Sequence, residues 1–280
     1  ISLEGFAVLQ PIADWTQHMQ GTKYPTLPLV LPTVYGLIEN MAPTSPLTLS
    51  FQGQASYELE PEEMHGGVLV ARTAMHDDWV LRWITNLAPE VKRTYAIATM
   101  LHPCFKAYDF IEGFDLIQES DKAWALRELR TEWSTVWKPK EPAAAAPAAD
   151  GAPALAADAP GPSAEPPKKH RKVSLCGLLG GRIKKEASPA APAAVRDELD
   201  QYLEEPVETD LDVDVLAWWK AKESKWPALA KMVKQYFAAP ASSAGVERVF
   251  SAAGKMHGDL QKSAKDSTLE HSLFAAFNTD

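Results

Sequence analysis

Cysteine is scarce: Cys104 and Cys176 are the only two in 280 residues, and no C-x-x-C pair occurs. Neither a disulfide framework nor a structural zinc site can be built from them, and a reducing compartment is the natural setting. The seven histidines never fall at an H-x-x-x-H spacing, which argues against a helical metal site. Long apolar runs are also missing. The longest, Leu27 to Ile38, is broken by Pro28 and Pro32 and falls well short of the roughly 20 residues that a membrane-spanning helix needs. No G-x-S-x-G elbow is present. Gly180-Gly181 lacks the flanking strand that a phosphate-binding loop requires. The chain opens on Ile1 with no basic stretch ahead of an apolar core, so the expectation is a fragment without a signal peptide.

Proline and alanine, by contrast, are concentrated. Residues 139–167 hold 12 Ala and 8 Pro in 29 positions with no aromatic residue, a composition that cannot bury enough apolar area to offset chain entropy. The expected organisation is therefore a mostly helical segment over 1–137, a disordered linker over 138–196, and a C-terminal module over 197–280. The net charge of −9 argues against indiscriminate coating of nucleic acid. Its distribution is uneven: nine acids and no base lie between Asp197 and Asp214, and seven Lys or Arg and no acid between Lys168 and Lys185. Within the basic block, Lys168, Lys169, Arg171 and Lys172 follow Pro167. Such a cluster suits the acidic groove of a nuclear import receptor, the alternative being a solvated charge run.

Helical periodicity appears at Val34, Leu37, Ile38 and Met41, across residues 68–87, and across 116–137. The short run Tyr95–Leu101 admits a strand. In the C-terminal segment Pro227 suits a first helical turn, followed by the stripe Leu229, Met232, Val233, Tyr236 and Phe237. After Pro240, Ser242 and Ser243 offer an N-cap to a helix with Val246, Val249, Phe250 and Ala253 on one face. Ser243, Glu247 and Ser251 share the opposite face. Gly254 fits the end of that helix, and a last helix carries Leu269, Leu273, Phe274 and Phe277.

These residues resemble a family. Ala217-Trp218-Trp219-Lys220, Lys225-Trp226-Pro227, and above all Pro240-Ala-Ser242-Ser243-x-x-x-Glu247-Arg248-Val-Phe250-Ser251 are similar to the C-terminal dimerisation region of hAT transposases. Weaker echoes run upstream. Lys23-Tyr-Pro25 is similar to the insertion-domain segment, and Ala96 to Lys106 to an A-x-x-LDPR-x-K stretch, with His102 and Cys104 replacing its Asp and Arg.

The resemblance implies a mainly α fold with an α+β remnant: a partial ribonuclease-H-like core, a helical insertion and C-terminal dimerisation helices. It also implies a two-metal strand-transfer mechanism resting on three carboxylates. Glu247 matches the last of them, and the other two belong to strands expected before Ile1. Glu247 is thus read as a vestigial ligand, or simply as a solvent-facing helix residue. No cofactor is expected, and a divalent metal such as Mg only if the missing Asp residues exist upstream. The expected dimer interface comprises Trp218, Trp219, Trp226, Phe250, Leu273 and Phe274, with one Trp inward and one in a dimer groove.

The leading reading is a nuclear homodimerising module of a truncated, transposon-derived protein, not an enzyme. Any nucleic-acid contact is assigned to a missing N-terminal zinc finger, and no membrane partner is expected. The alternatives are the C-terminal portion of an active DNA transposase and a co-opted nuclear regulator.

Overall fold

The computed structural model describes residues 3–49, 57–114, 116–117, 119–139, 196–256 and 265–278. Within them the chain is mainly α, with ten helices and one small antiparallel sheet. The helices are α1 (Leu3–Met19), α2 (Val30–Asn40), α3 (Gly66–Val80), α4 (Pro89–Met100), α5 (Glu119–Glu132), α6 (Glu198–Glu204), α7 (Val215–Lys222), α8 (Pro227–Phe237), α9 (Ala244–Met256) and α10 (Asp266–Asn278). Strands β1 (Leu47–Leu49) and β2 (Tyr57–Leu59) pair in the register Leu47 to Leu59. Both α3 and α5 run on into a π-helical turn, at Leu81–Thr85 and Trp133–Trp137.

Two local expectations change. The run Tyr95–Leu101 is helical, not a strand: Pro89 opens α4, and Ala96, Ile97, Ala98, Thr99 and Met100 are all buried. Small Ala and Thr side chains let neighbouring helices close over every face, and the two strands among the described residues pair only with each other. Helix α2 is likewise buried all round from Val30 to Ile38 instead of presenting one apolar stripe. Gly254 lies inside α9, which continues to Met256.

The segments expected to fold apart share one core. Met19, Leu31, Ile38, Ile97, Leu101, Phe105, Leu129 and Trp133 pack in the same cluster as Leu199, Tyr202, Trp219, Trp226, Leu229 and Phe237. Polar ties reinforce it at the C-terminal end of α4, where helix geometry leaves carbonyls without an internal partner. Tyr202 Oη donates to the Met100 carbonyl at 3.0 Å, and Trp219 Nε1 to the Leu101 carbonyl at 3.1 Å. In return, Lys106 Nζ donates to the Tyr202 and Glu205 carbonyls at 2.7 and 2.5 Å, closing the end of α6. Trp133 Nε1 reaches Asp197 Oδ2 at 3.0 Å, and Glu198 Oε2 accepts the Leu229 N–H at 2.8 Å, capping α8.

A smaller cluster joins Ala7 and Val8 of α1 to Leu47, Leu59 and Met64. Beside it the fully buried Arg72 donates to the Asn40 and Ser45 carbonyls at 2.6 and 2.7 Å, closing the end of α2.

Candidate functional site

The residues expected at a dimer interface divide into two groups. Trp219 and Trp226 are 4% and 0% exposed, so the structure takes both out of any surface. The reason lies in distant sequence. The rings of Tyr202, Trp218, Trp219 and Trp226 sit 4.9 to 6.3 Å apart in edge-on and tilted pairs, and this cluster closes over the end of α4. Trp226 Nε1 is satisfied by Gln201 Oε1 at 3.2 Å. Trp218 is half-buried at the rim of this cluster, with Lys222 Nζ 5.3 Å from its ring centroid. Lys222 and Lys225 both pair with Glu205, at 2.7 and 2.6 Å. Burial alone raises the Glu205 carboxyl, but the two ammonium groups bring it below its ordinary range.

The second group faces outward. No residue of α9 is buried, and Val246, Phe250, Phe274 and Phe277 are 54%, 71%, 69% and 48% exposed, with Leu273 half-buried. Helices α9 and α10 pack on each other, so these side chains lie on one helical pair. Of the apolar face predicted for α9, the described residues leave Val246 and Phe250 exposed and half-bury Val249 and Ala253.

The P-A-S-S-x-x-x-E-R segment explains how α9 is held. Ser242 Oγ donates to the Met19 carbonyl at 3.2 Å, and the Ala241 N–H to Thr26 Oγ1 at 2.9 Å. Arg248 Nη2 donates to the Gln20 carbonyl at 2.5 Å, and its Nε to the Ala244 carbonyl at 3.1 Å. A guanidinium at the C-terminal end of α1 also meets the negative end of that helix dipole. Ser243, expected as a cap, instead donates its hydroxyl to Glu247 Oε1 at 2.5 Å.

Glu247 borders a cavity of 290 Å³ with Trp15, Trp83, Tyr95 and Val30. No second carboxylate lines that cavity, and no group of three His, Cys, Asp or Glu able to hold a metal occurs among the described residues. The donors around Glu247 therefore do not fit a two-metal centre, which needs several carboxylates in reach of both ions.

A larger cavity of 390 Å³ lies between the end of α1 and residues 211–215, a place the sequence did not suggest. His18, Tyr24, His102, Asp212 and Asp214 are among its lining. Burial pushes His102 down to about 3, and its Nδ1 accepts the Cys104 N–H at 3.2 Å, which puts the proton of the neutral ring on Nε2. Burial also lowers His18, with Asp212 opposing. The Cys104 thiol is pushed up to about 12 by burial and by Glu208 and Asp210, far from the range of a reactive thiolate. Burial lowers Lys106 to about 8 against the pull of Glu205. The two substitutions in the A-x-x-LDPR-x-K echo thus place neutral, buried groups where the pattern has charges. Lys168, Lys169, Arg171 and Lys172 lie outside the described residues.

Comparison with known proteins agrees with the C-terminal geometry. Residues 198–279 match the hAT family C-terminal dimerisation region. The chain is 34% identical over 77 residues to the zinc finger BED domain-containing protein DAYSLEEPER of Arabidopsis thaliana, covering 27% of this chain and 11% of that protein. It is 39% identical over 85 residues to the zinc finger BED domain-containing protein RICESLEEPER 3 of Oryza sativa subsp. japonica, covering 28% and 11%. The matched region thus spans about a tenth of each curated relative. Helices α6 to α10 lie within residues 198–279, the stretch of this chain that is similar to the hAT C-terminal dimerisation region.

Proposed function

We propose that this chain self-associates through α9 and α10, and that it serves as the assembly module of a transposase-derived nuclear protein without itself performing strand transfer. The observation that carries the reading is the exposure of Phe250 on one helix and of Phe274 and Phe277 on the helix packed against it, within the matched dimerisation region. Several aromatic rings exposed on one surface mark an interaction site, and two-fold pairing of identical surfaces is the commonest way to cover them. The non-enzymatic part of the reading rests on Glu247 being the one carboxylate in the lining of its cavity.

The basic cluster Lys168, Lys169, Arg171 and Lys172 supplies the contact for an import receptor, giving a nuclear location. The net charge of −9 makes broad contact with DNA phosphates unfavourable for this chain. Nucleic-acid binding is therefore assigned to a zinc-finger domain of the kind named in the relatives.

The test is sedimentation velocity on the full chain, since residues 199–237 bury their rings against residues 19–133 and are not a separable unit. At tens of micromolar (~, a range in which a specific interface of ordinary size persists), a species of twice the 30.7 kDa chain mass is expected. A single species at the chain mass across that range overturns the proposal.

A further inference from the structure

The Glu247 cavity has a chemistry of its own, separate from the self-association reading. Its walls include three half-buried aromatic side chains from three helical segments: Trp15 of α1, Trp83 of the π turn after α3, and Tyr95 of α4. The rings are held by their neighbours. Trp15 stands edge-on to Trp79 with centroids 5.5 Å apart at 72°, and Trp83 and Tyr95 lie 6.0 Å apart at 37°. Val30 adds an apolar wall, and Glu247 is the one charged residue in the lining.

Two other cavities beside α1 carry a positive side chain, Arg248 in one and Lys23 in the other, whereas no cation lines this one. Aromatic faces carry negative quadrupole potential, and a carboxylate at their edge adds a full negative charge. A volume of 290 Å³ lies at the lower limit for ligand sites and suits a small head group. The Ser243 hydroxyl fixes Glu247 Oε1 and thereby orients the carboxylate.

We propose that this cavity is an aromatic cage for a methylated ammonium group, with a trimethyllysine side chain of a partner polypeptide as its occupant. A quaternary ammonium has no proton to donate and is weakly hydrated. It therefore gains from ring faces and from a nearby carboxylate without needing hydrogen-bond acceptors. An unmodified lysine keeps three N–H donors and strong hydration, which rings cannot replace.

The probe is Nα-acetyl-trimethyllysine methylamide, followed by the proton resonance of its N-methyl groups as the full chain is added. Three comparators are the unmodified lysine analogue, the neutral isostere with carbon in place of the quaternary nitrogen, and a ten-residue thymidine oligonucleotide. The N-methyl signal is expected to move upfield under the ring currents, with a Kd on the order of 1 mM, and the isostere to bind about five-fold or more weakly.

Trp83→Ala should abolish the shift. Because that change touches packed rings, Glu247→Gln on the exposed side of α9 is the second variant, expected to weaken binding about three- to ten-fold while keeping the limiting upfield shift. Failure of the probe to shift at ten times that concentration, equal binding of the isostere, or unchanged binding in Glu247→Gln overturns the cage. Displacement of the probe by the oligonucleotide makes the pocket a nucleobase site and overturns it as well. Sedimentation of the same samples distinguishes this outcome from failure of the self-association reading, which leaves probe binding untouched.

Discussion

The indole N–H of Trp219 donates to the carbonyl of Leu101 at 3.1 Å, across 118 positions of sequence. This bond lies at the centre of the contact between the hAT-like C-terminal region and the helices before it. Trp219→Phe keeps most of the ring but leaves the Leu101 carbonyl buried without that donor, an expected loss of about 1–3 kcal/mol. Trp219→Ala adds a cavity and is expected to cost about 3–5 kcal/mol. Urea unfolding followed by circular dichroism measures both, and a loss confined to oligomeric state, with the midpoint unchanged, would contradict this placement.

Phe250 and Phe274 predict the opposite pattern. Both are largely exposed, so Phe250→Glu or Phe274→Glu should leave the urea midpoint within about 0.5 kcal/mol of the parent chain. Each should nevertheless abolish the dimeric species in sedimentation, because a carboxylate buried at a two-fold contact has no counter-charge. An unchanged dimer in both variants would place the contact elsewhere.

His102 sets an acid limit. Its folded-state value of about 3 lies below the ordinary 6.5, so the unfolded chain takes up the proton first as pH falls. Stability from this group is complete above 6.5 and is lost progressively between 6.5 and 3, at about 1.4 kcal/mol per pH unit. His102→Asn retains an acceptor for the Cys104 N–H without titrating in that window. The variant should show a shallower decline of the urea midpoint between pH 6.5 and 4, and an identical slope would refute the assignment.

The basic cluster gives a cellular prediction. A reporter fused to residues 160–190 is expected to accumulate in the nucleus and to lose that distribution when Lys169 and Arg171 become Ala. Indistinguishable images of the two fusions would remove the import signal from the account.

Much of the C-terminal region was legible in the sequence because its signals are local. Pro227 at the first turn of α8, the stripe Leu229, Met232, Val233 and Phe237, and the helix after Pro240 need only short-range spacing. The fate of the tryptophans was not legible. Whether Trp219 and Trp226 face solvent depends on the end of α4, and nothing in the spacing of A-W-W-K encodes a partner that far away. Tyr95–Leu101 failed for a related reason: a short buried helix and a short buried strand have the same apolar composition. Lys106 shows the converse. Its position in the A-x-x-LDPR-x-K echo is visible in the sequence, but its work as a double cap on the Tyr202 and Glu205 carbonyls appears only when the chain is folded.

The seating of α9 on the end of α1 has a consequence for local opening. With no buried residue, α9 is tied to the body through the preceding Ser242, which donates to the Met19 carbonyl, and through Arg248, which donates to the Gln20 carbonyl. In a single chain its amides are therefore expected to exchange with deuterium through local fraying, long before those of α4 or α8, which lie in the shared core. A covering second chain would slow exchange in α9 while leaving α4 unchanged, so the ratio of the two protection levels reports assembly residue by residue. Replacing Arg248 by Ala should quicken exchange in α9 alone, even where the global unfolding free energy scarcely moves.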